Sequence, residues 1–164
     1  MNSALSFTNS PYTSFMHETK IRLSNGIELH VEMGGNPQDP AIMLIMGLGA
    51  QMLFWPDFFC KSLIDQGYRV IRFDNRDIGL SSKIRHSGPR LNTFKLMGRF
   101  ALGLENQGAP YNLYDMAEDA ALLIEHLGLE TVSVLGASMG GMIAQILAAK
   151  YPKKVNTLGL IFTS

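Results

Sequence analysis

One short segment carries the strongest signal in this sequence, and it reads Val132-Ser133-Val134-Leu135-Gly136-Ala137-Ser138-Met139-Gly140-Gly141-Met142. Within it, an apolar strand pattern passes through Gly-x-Ser-x-Gly into an apolar helix pattern. A serine at so sharp a strand-to-helix turn is forced toward positive φ, and Gly136 and Gly140 lack the Cβ atoms that would collide there. The segment therefore predicts a turn that lifts the hydroxyl of Ser138 clear of a sheet.

This turn predicts a nucleophilic serine. The backbone N–H of Met139 would lie at a helix N-terminus, where partial positive charge stabilises an oxyanion formed during acyl transfer. We expect a second donor, the N–H of Leu48, from the loop Met46-Gly47-Leu48-Gly49, with Gly47 permitting the turn. The alternative is that these glycines only shape the loop.

The remaining chain predicts alternating strands and helices. Residues 19–23 and 27–33 alternate in polarity around Asn25-Gly26, which is typical of a hairpin. The other predicted elements are strand 41–46, helix 56–66, strand 68–73, helix 115–127, strand 131–135, helix 138–151 and strand 155–162. This order indicates an α/β protein with a mostly parallel sheet flanked by helices and right-handed crossovers.

The predicted domain organisation has three parts. Residues 1–16 are polar and predict a flexible tail, and residues 17–164 predict one domain. Within that domain, residues 82–110 have no clean periodicity and are too long for an ordinary connection. They are either helices packed on the rim of the core or a mobile apolar flap over a binding site.

Composition excludes several classes of partner. Lys and Arg number 14, as do Asp and Glu, so no net charge attracts nucleic acid or anionic lipid. No apolar run is long enough to span a bilayer, and a single cysteine, Cys60, favours a reducing compartment. We therefore expect a cytoplasmic protein without a membrane or nucleic-acid partner. No cluster of residues suggests a metal, and we expect no cofactor.

Four landmarks together resemble the α/β-hydrolase family of serine esterases and lipases. They are Leu44–Gly49, Trp55-Pro56, Arg72–Ser81 and Gly136–Gly141. The resemblance covers nearly all of the chain from Thr19 onward. It implies a carboxylic ester or related acyl hydrolase acting on a small ester-like substrate. It further implies that an Asp-x-Arg-x-x-Gly-x-Ser loop shapes the floor of the active site, and the matching residues are Asp74, Arg76, Gly79 and Ser81.

This sequence departs from the family pattern in two places. Many relatives have His-Gly where this chain has Met46-Gly47, which leaves the following backbone donor in place. In the family, the acid and the histidine of the catalytic triad follow later strands, whereas this chain stops at Ser164. The histidines are His17, His30, His86 and His126, and none is expected to be the catalytic base.

We therefore expect the N-terminal portion of a hydrolase domain, incomplete at its C-terminal side and lacking the triad acid and histidine. The alternative is a truncated, catalytically incompetent fragment with a binding or assembly role. In either case the last strand, residues 155–162, would expose an apolar edge. We expect that edge to pair with a second copy of the chain or with a C-terminal partner fragment.

Overall fold

A computed structural model of the protein describes residues 8–9, 15–84 and 110–163. They form a seven-stranded sheet with the strand order β1-β2-β3-β5-β4-β6-β7. The strands are β1 Thr8–Asn9, β2 Met16–Arg22, β3 Glu28–Gly34, β4 Ala41–Ile45, β5 Arg69–Phe73, β6 Val132–Ala137 and β7 Val155–Ile161. Strands β5, β4, β6 and β7 pair in parallel, while β1, β2 and β3 extend the sheet with antiparallel pairs. The predicted α/β architecture and its hairpin are confirmed.

The three predicted helices are present as α1 Asp57–Asp65, α2 Leu113–His126 and α3 Met139–Lys150. A short 3-10 helix, Met52–Phe54, was not predicted. Helix α2 begins two residues before the predicted start because Asn112 caps it and Asp115 accepts from the Asn112 N–H in return, at 2.7 Å. None of the described helices is long and apolar enough to cross a bilayer.

Strand β4 is covered on both faces, which explains its continuously apolar sequence. Met43 and Ile45 belong to one core cluster, which includes side chains of α2 and α3. Leu44 points to the opposite face and joins a second cluster with Trp55 and Cys60. Met43, Leu44 and Ile45 have no exposed surface, so the burial of each side chain contributes about 1.5–3 kcal/mol to stability.

One predicted boundary is corrected. Met16 is not part of a flexible tail, because it is 1% exposed within β2, and Thr8–Asn9 pair with His17 and Glu18. Residues 82–84 have no regular secondary structure, and the Ser82 N–H donates to the Glu28 carbonyl at 2.8 Å. The rest of the predicted insert, for which packed helices and a mobile flap were the two interpretations, is residues 85–109, which lie outside the described residues.

Strand β7 is the outermost strand beside β6. Three apolar side chains on it or just after it are exposed to solvent, namely Leu158, Leu160 and Phe162. The strand ends one residue earlier than predicted, because Phe162 has a φ of 49° and cannot continue the extended backbone.

Candidate active site

Ser138 lies at the tip of the turn between β6 and α3. Its φ of 55° and ψ of −126° are rare for a residue with a side chain and cost about 1–3 kcal/mol. Two backbone bonds hold this conformation: the Ser138 N–H donates to the Ile161 carbonyl, and the Gly141 N–H donates to the Ser138 carbonyl, both at 2.9 Å. The residue is exposed, so its hydroxyl is presented to solvent at the carboxyl edge of the sheet.

The two motif glycines allow α3 to pack closely on the sheet. A Cβ on Gly136 would overlap the Gly140 carbonyl, and a Cβ on Gly140 would overlap the Ile45 carbonyl at the end of β4. The structure thus shows the close approach that the motif predicted. Met139 is the first residue of α3, so its amide has no acceptor within the helix.

The loop after β4 contacts the serine directly. Gly47 is buried, and a Cβ built on it would lie 3.0 Å from the Ser138 Cβ and 3.3 Å from the Ser138 Oγ. Leu48 follows, with its side chain 38% exposed. The structure therefore brings together Gly47, Gly136, Ser138 and Gly140, with Leu48 and Met139 adjacent to them in the chain.

Side chains that follow β5 hold both ends of this loop. The Asn75 Nδ2 donates to the Met46 carbonyl at 2.9 Å. The Met52 N–H donates to the Asp74 Oδ1 at 2.8 Å. Asp74 and Asn75 are each 3% exposed, so these bonds are shielded from water. Among the residues implied by the family resemblance, Asp74 thus contacts the loop next to Ser138.

Asp74 also belongs to a buried ion pair with His30. The His30 Nδ1 lies 3.1 Å from the Asp74 Oδ2, and its Nε2 lies 2.6 Å from the Glu18 Oε1. Burial lowers the pKa of His30, but the hydrogen bonds and charges of Asp74 and Glu18 outweigh it and raise that pKa above its ordinary 6.5. Burial likewise raises the pKa of Asp74, but the bonds from His30 and two backbone amides outweigh it and lower that pKa. Both shifts favour the charged pair, in which His30 is protonated and Asp74 is ionised.

The described histidines do not reach Ser138. His30 lies on β3, three strands from β6, which is about 14 Å, and both of its ring nitrogens face carboxylates. His17 lies on β2, one strand further away. His126 ends α2 before the chain enters β6, so it lies near the opposite end of that strand, roughly 20 Å from the turn. His86 lies outside the described residues.

A second buried pair joins the loop after β5 to α2. The Arg76 Nε and Nη2 donate to the two Asp119 carboxylate oxygens at 2.7 and 2.6 Å, and Asn25 donates to Asp119 at 2.8 Å. Burial lowers the pKa of Arg76, but the Asp119 carboxylate outweighs it and raises that pKa. The Ser81 Oγ donates to the Asp74 carbonyl at 2.6 Å, which closes the same loop. These contacts give Arg76 and Ser81 a structural role.

An open cavity of about 460 Å³ lies beside the His30 pair rather than at the serine. Its lining includes Glu18, His30, Leu53, Asp57 and Leu80, and it includes no residue of the strand-to-helix turn. The acidic side chains in it are already bound to His30 or Arg72. We therefore locate the candidate chemistry at Ser138, because an exposed hydroxyl and a helix N-terminus coincide there.

Sequence reasoning missed the contact of Asn75 with the loop after β4. It also missed the pairing of His30 with Asp74. The position of Asn75 directly after a buried strand was a signal for the first, because carboxyl ends of neighbouring parallel strands meet at one edge. Nothing in the local pattern of His30 indicated its partner, which lies 44 residues further along the chain.

A largely parallel sheet with helices on both faces, and a serine at positive φ between a strand and a helix, defines the class of α/β hydrolases. The family model described as alpha/beta hydrolase fold matches residues 40–163. The chain belongs to this family.

Several known proteins are similar to this chain. Rhodomycin D methylesterase of Streptomyces peucetius is 31% identical over 140 residues, which are 85% of this chain and 40% of that protein. An AB hydrolase superfamily protein of Bacillus subtilis is 30% identical over 82% of this chain and 40% of its own length. The crystal structure of a hydrolase from Pseudomonas aeruginosa superposes with a TM-score of 0.71 and 26% identity, covering 90% of this chain and 46% of that one. The chain spans about 40% of the length of the curated relatives it matches.

Proposed function

We propose that this chain is the nucleophile-bearing part of a serine hydrolase that cleaves carboxylic esters or related acyl compounds through Ser138. The observation that carries the proposal is the strained, exposed position of Ser138 beside the buried Gly47. Strain of this kind persists where a function requires it. The similarity to the Streptomyces methylesterase supports an ester as the substrate class.

The proposed reaction is an acyl transfer. The Ser138 Oγ attacks the substrate carbonyl carbon and gives its proton to the triad base, and the carbonyl oxygen becomes an oxyanion that accepts from the Leu48 and Met139 N–H groups. The bond to the alkoxy group then breaks, the alcohol leaves with that proton, and an acyl ester remains on Ser138. Water, deprotonated by the same base, attacks the acyl carbon, and the acid leaves as the Ser138 Oγ regains its proton. Each oxyanion donor contributes about a hundred- to a thousandfold in rate. No metal or cofactor enters this scheme.

The base and the acid of the triad come, in this proposal, from polypeptide beyond these 164 residues. Its support is that the described histidines lie far from Ser138 and that the matched relatives are more than twice as long. Loss of triad members costs up to about a millionfold in turnover. We therefore expect the 164-residue chain alone to be nearly inactive. The lack of a triad base and acid also favours a second candidate function, an incompetent fragment with a binding or assembly role.

Strand β7 is the place where such polypeptide would join. Among the described residues no strand pairs with its outer edge, which lies beside exposed Leu158 and Leu160, and such an edge favours pairing with another strand. We propose that a C-terminal partner fragment or a second copy of the chain covers this edge. We also propose that the protein works in the cytoplasm, where the buried free thiol of Cys60 stays reduced. Light scattering that shows a clean monomer at high concentration would contradict the homo-oligomer.

The direct test is modification of the chain by a fluorophosphonate, followed by mass spectrometry of the peptides. The Ser138 oxygen would form the bond to phosphorus while the fluoride leaves and the hydroxyl proton passes to solvent. Because the triad base is missing from the chain alone, we expect slow modification that the two oxyanion donors make selective for Ser138. Ser138→Ala should abolish it, and Ser62→Ala, on the exposed face of α1, should leave it unchanged. Equal modification of several serines would overturn the nucleophile, and fast ester turnover by the chain alone would overturn the missing triad.

A further inference from the structure

We infer that Asn75, together with Asp74, is a positioning element for the oxyanion donor of Leu48. This inference rests on the proposed function, because it assigns the two side chains a role in the same site. The two side chains hold the two ends of the loop between β4 and the 3-10 helix. Asn75 binds the loop at Met46, and Asp74 binds it at Met52.

The loop does not hold its own shape. Within it, the Ala50 N–H donates to the Gly47 carbonyl at 3.4 Å, which is long for a hydrogen bond. At its centre, Gly49 has a φ of 71°, and a Cβ there would contact nothing within 4 Å. The conformation of the loop is therefore set at its ends and by the contact of Gly47 with Ser138.

The two end contacts are suited to this task. Both side chains are nearly fully buried, so their bonds to the loop do not compete with water. They follow β5, the direct neighbour of β4 in the sheet, so the loop is fixed to the same rigid edge that carries the serine. Asp74 has further partners in His30 and Leu80, whereas among the described residues the Asn75 side chain bonds to the loop alone. Asn75 is therefore the cleaner probe.

Losing the Asn75 bond would free the peptide that precedes Gly47. The Leu48 N–H belongs to the next peptide, and a displacement of about 1 Å at a reacting group costs on the order of a hundredfold in rate. The global fold should tolerate the change, because the other contact, from Met52 to Asp74, remains. A loss of reactivity without a matching loss of stability is what separates positioning from a purely structural role.

The experiment uses Asn75→Leu, which keeps the branched side-chain shape and removes the donor, with Asn75→Ala as the second variant if the first fails to fold. The matched control is Asn25→Ala, which removes another asparagine bond, to Asp119, far along the sheet on the β2–β3 turn. Three quantities are measured: the amide resonances of Leu48 and Gly49 in a 1H–15N spectrum, the rate of fluorophosphonate modification of Ser138, and the Tm.

In Asn75→Leu we expect the Leu48 and Gly49 resonances to move and the modification rate to fall about ten- to a hundredfold, with a Tm close to that of Asn25→Ala. Unmoved loop resonances would overturn the inference, and so would a wild-type modification rate alongside moved resonances. If the wild-type chain is not modified at Ser138 but the loop resonances move, the proposed function fails while the positioning of the loop stands.

Discussion

Gly47 lies against Ser138 with no space for a side chain between them. A Cβ at residue 47 would lie 3.0 Å from the Ser138 Cβ and 3.1 Å from the Ala137 carbonyl oxygen. These distances are too short for comfortable van der Waals contact, so Gly47→Ala must push the loop away from the serine by a few tenths of an ångström. We expect Gly47→Ala to lower the rate of fluorophosphonate modification at Ser138 about tenfold, with a stability loss of about 1 kcal/mol.

The control for this prediction is Gly67→Ala. Gly67 follows α1 with a φ of 81°, and a Cβ there would contact nothing within 4 Å. The substitution should therefore cost about 1 kcal/mol through backbone strain while leaving the modification rate unchanged. Equal modification rates for both variants would show that the contact between Gly47 and Ser138 has no chemical consequence.

The backbone strain at Ser138 predicts an unusual order of stabilities. Ser138→Gly removes a Cβ from a residue at φ 55°, whereas Ser138→Ala keeps that Cβ and removes only the hydroxyl. We expect Ser138→Gly to unfold with a free energy about 1 kcal/mol higher than that of Ser138→Ala in urea titrations. Both should be inert to the fluorophosphonate. A less stable glycine variant would mean that the turn is not strained.

The strand-to-helix turn and the order of the elements could be predicted from sequence because both are local patterns. The run from Val132 to Met142 contains the strand, the glycines and the helix start within eleven residues. Similarly, the apolar residues 41–45 predict a strand covered on both faces, and Met43 and Leu44 do lie in different core clusters. These features depend on neighbours in the chain, which a sequence shows directly.

The contacts that surround the site could not be predicted in the same way, because they depend on strand order. His30 meets Asp74 only because β3 lies beside β5 rather than beside β4. Asn75 meets Met46 only because β5 and β4 are neighbours, with β4 joining β6 on its other side. Periodicity reports which face of a strand is buried, but it does not report which strand lies next to it.

The buried pair of His30 and Asp74 predicts a pH-dependent contribution to stability. The folded-state pKa of His30 is raised above 6.5, so its contribution is fully present below 6.5 and is lost as the pH rises through the folded-state value. The folded-state pKa of Asp74 is lowered, so its contribution is present above 3.8 and is lost as the pH falls through the folded-state value. The stabilisation by the pair is therefore greatest between these limits.

The measurement compares the wild type with His30→Gln by urea unfolding at about pH 5.5 and about pH 9. The stability difference between the two proteins should be larger at the lower pH, because His30 is then charged in the folded state. His126→Gln, at the exposed end of α2, serves as the control for histidine titration in general. A difference that grows with pH would contradict a charged His30.

The bidentate pair of Arg76 and Asp119 predicts strong coupling between the loop after β5 and helix α2. Arg76 is 8% exposed and Asp119 is 2% exposed, so either one left alone is an uncompensated charge in a buried site. Asp119→Leu and Arg76→Met should each destabilise the protein by about 3–5 kcal/mol. The double variant should cost clearly less than the sum of the two, because neither charge is then left unpaired. The free energy of unfolding of all four proteins gives the coupling energy, and additive losses would mean that the two side chains stabilise the fold independently.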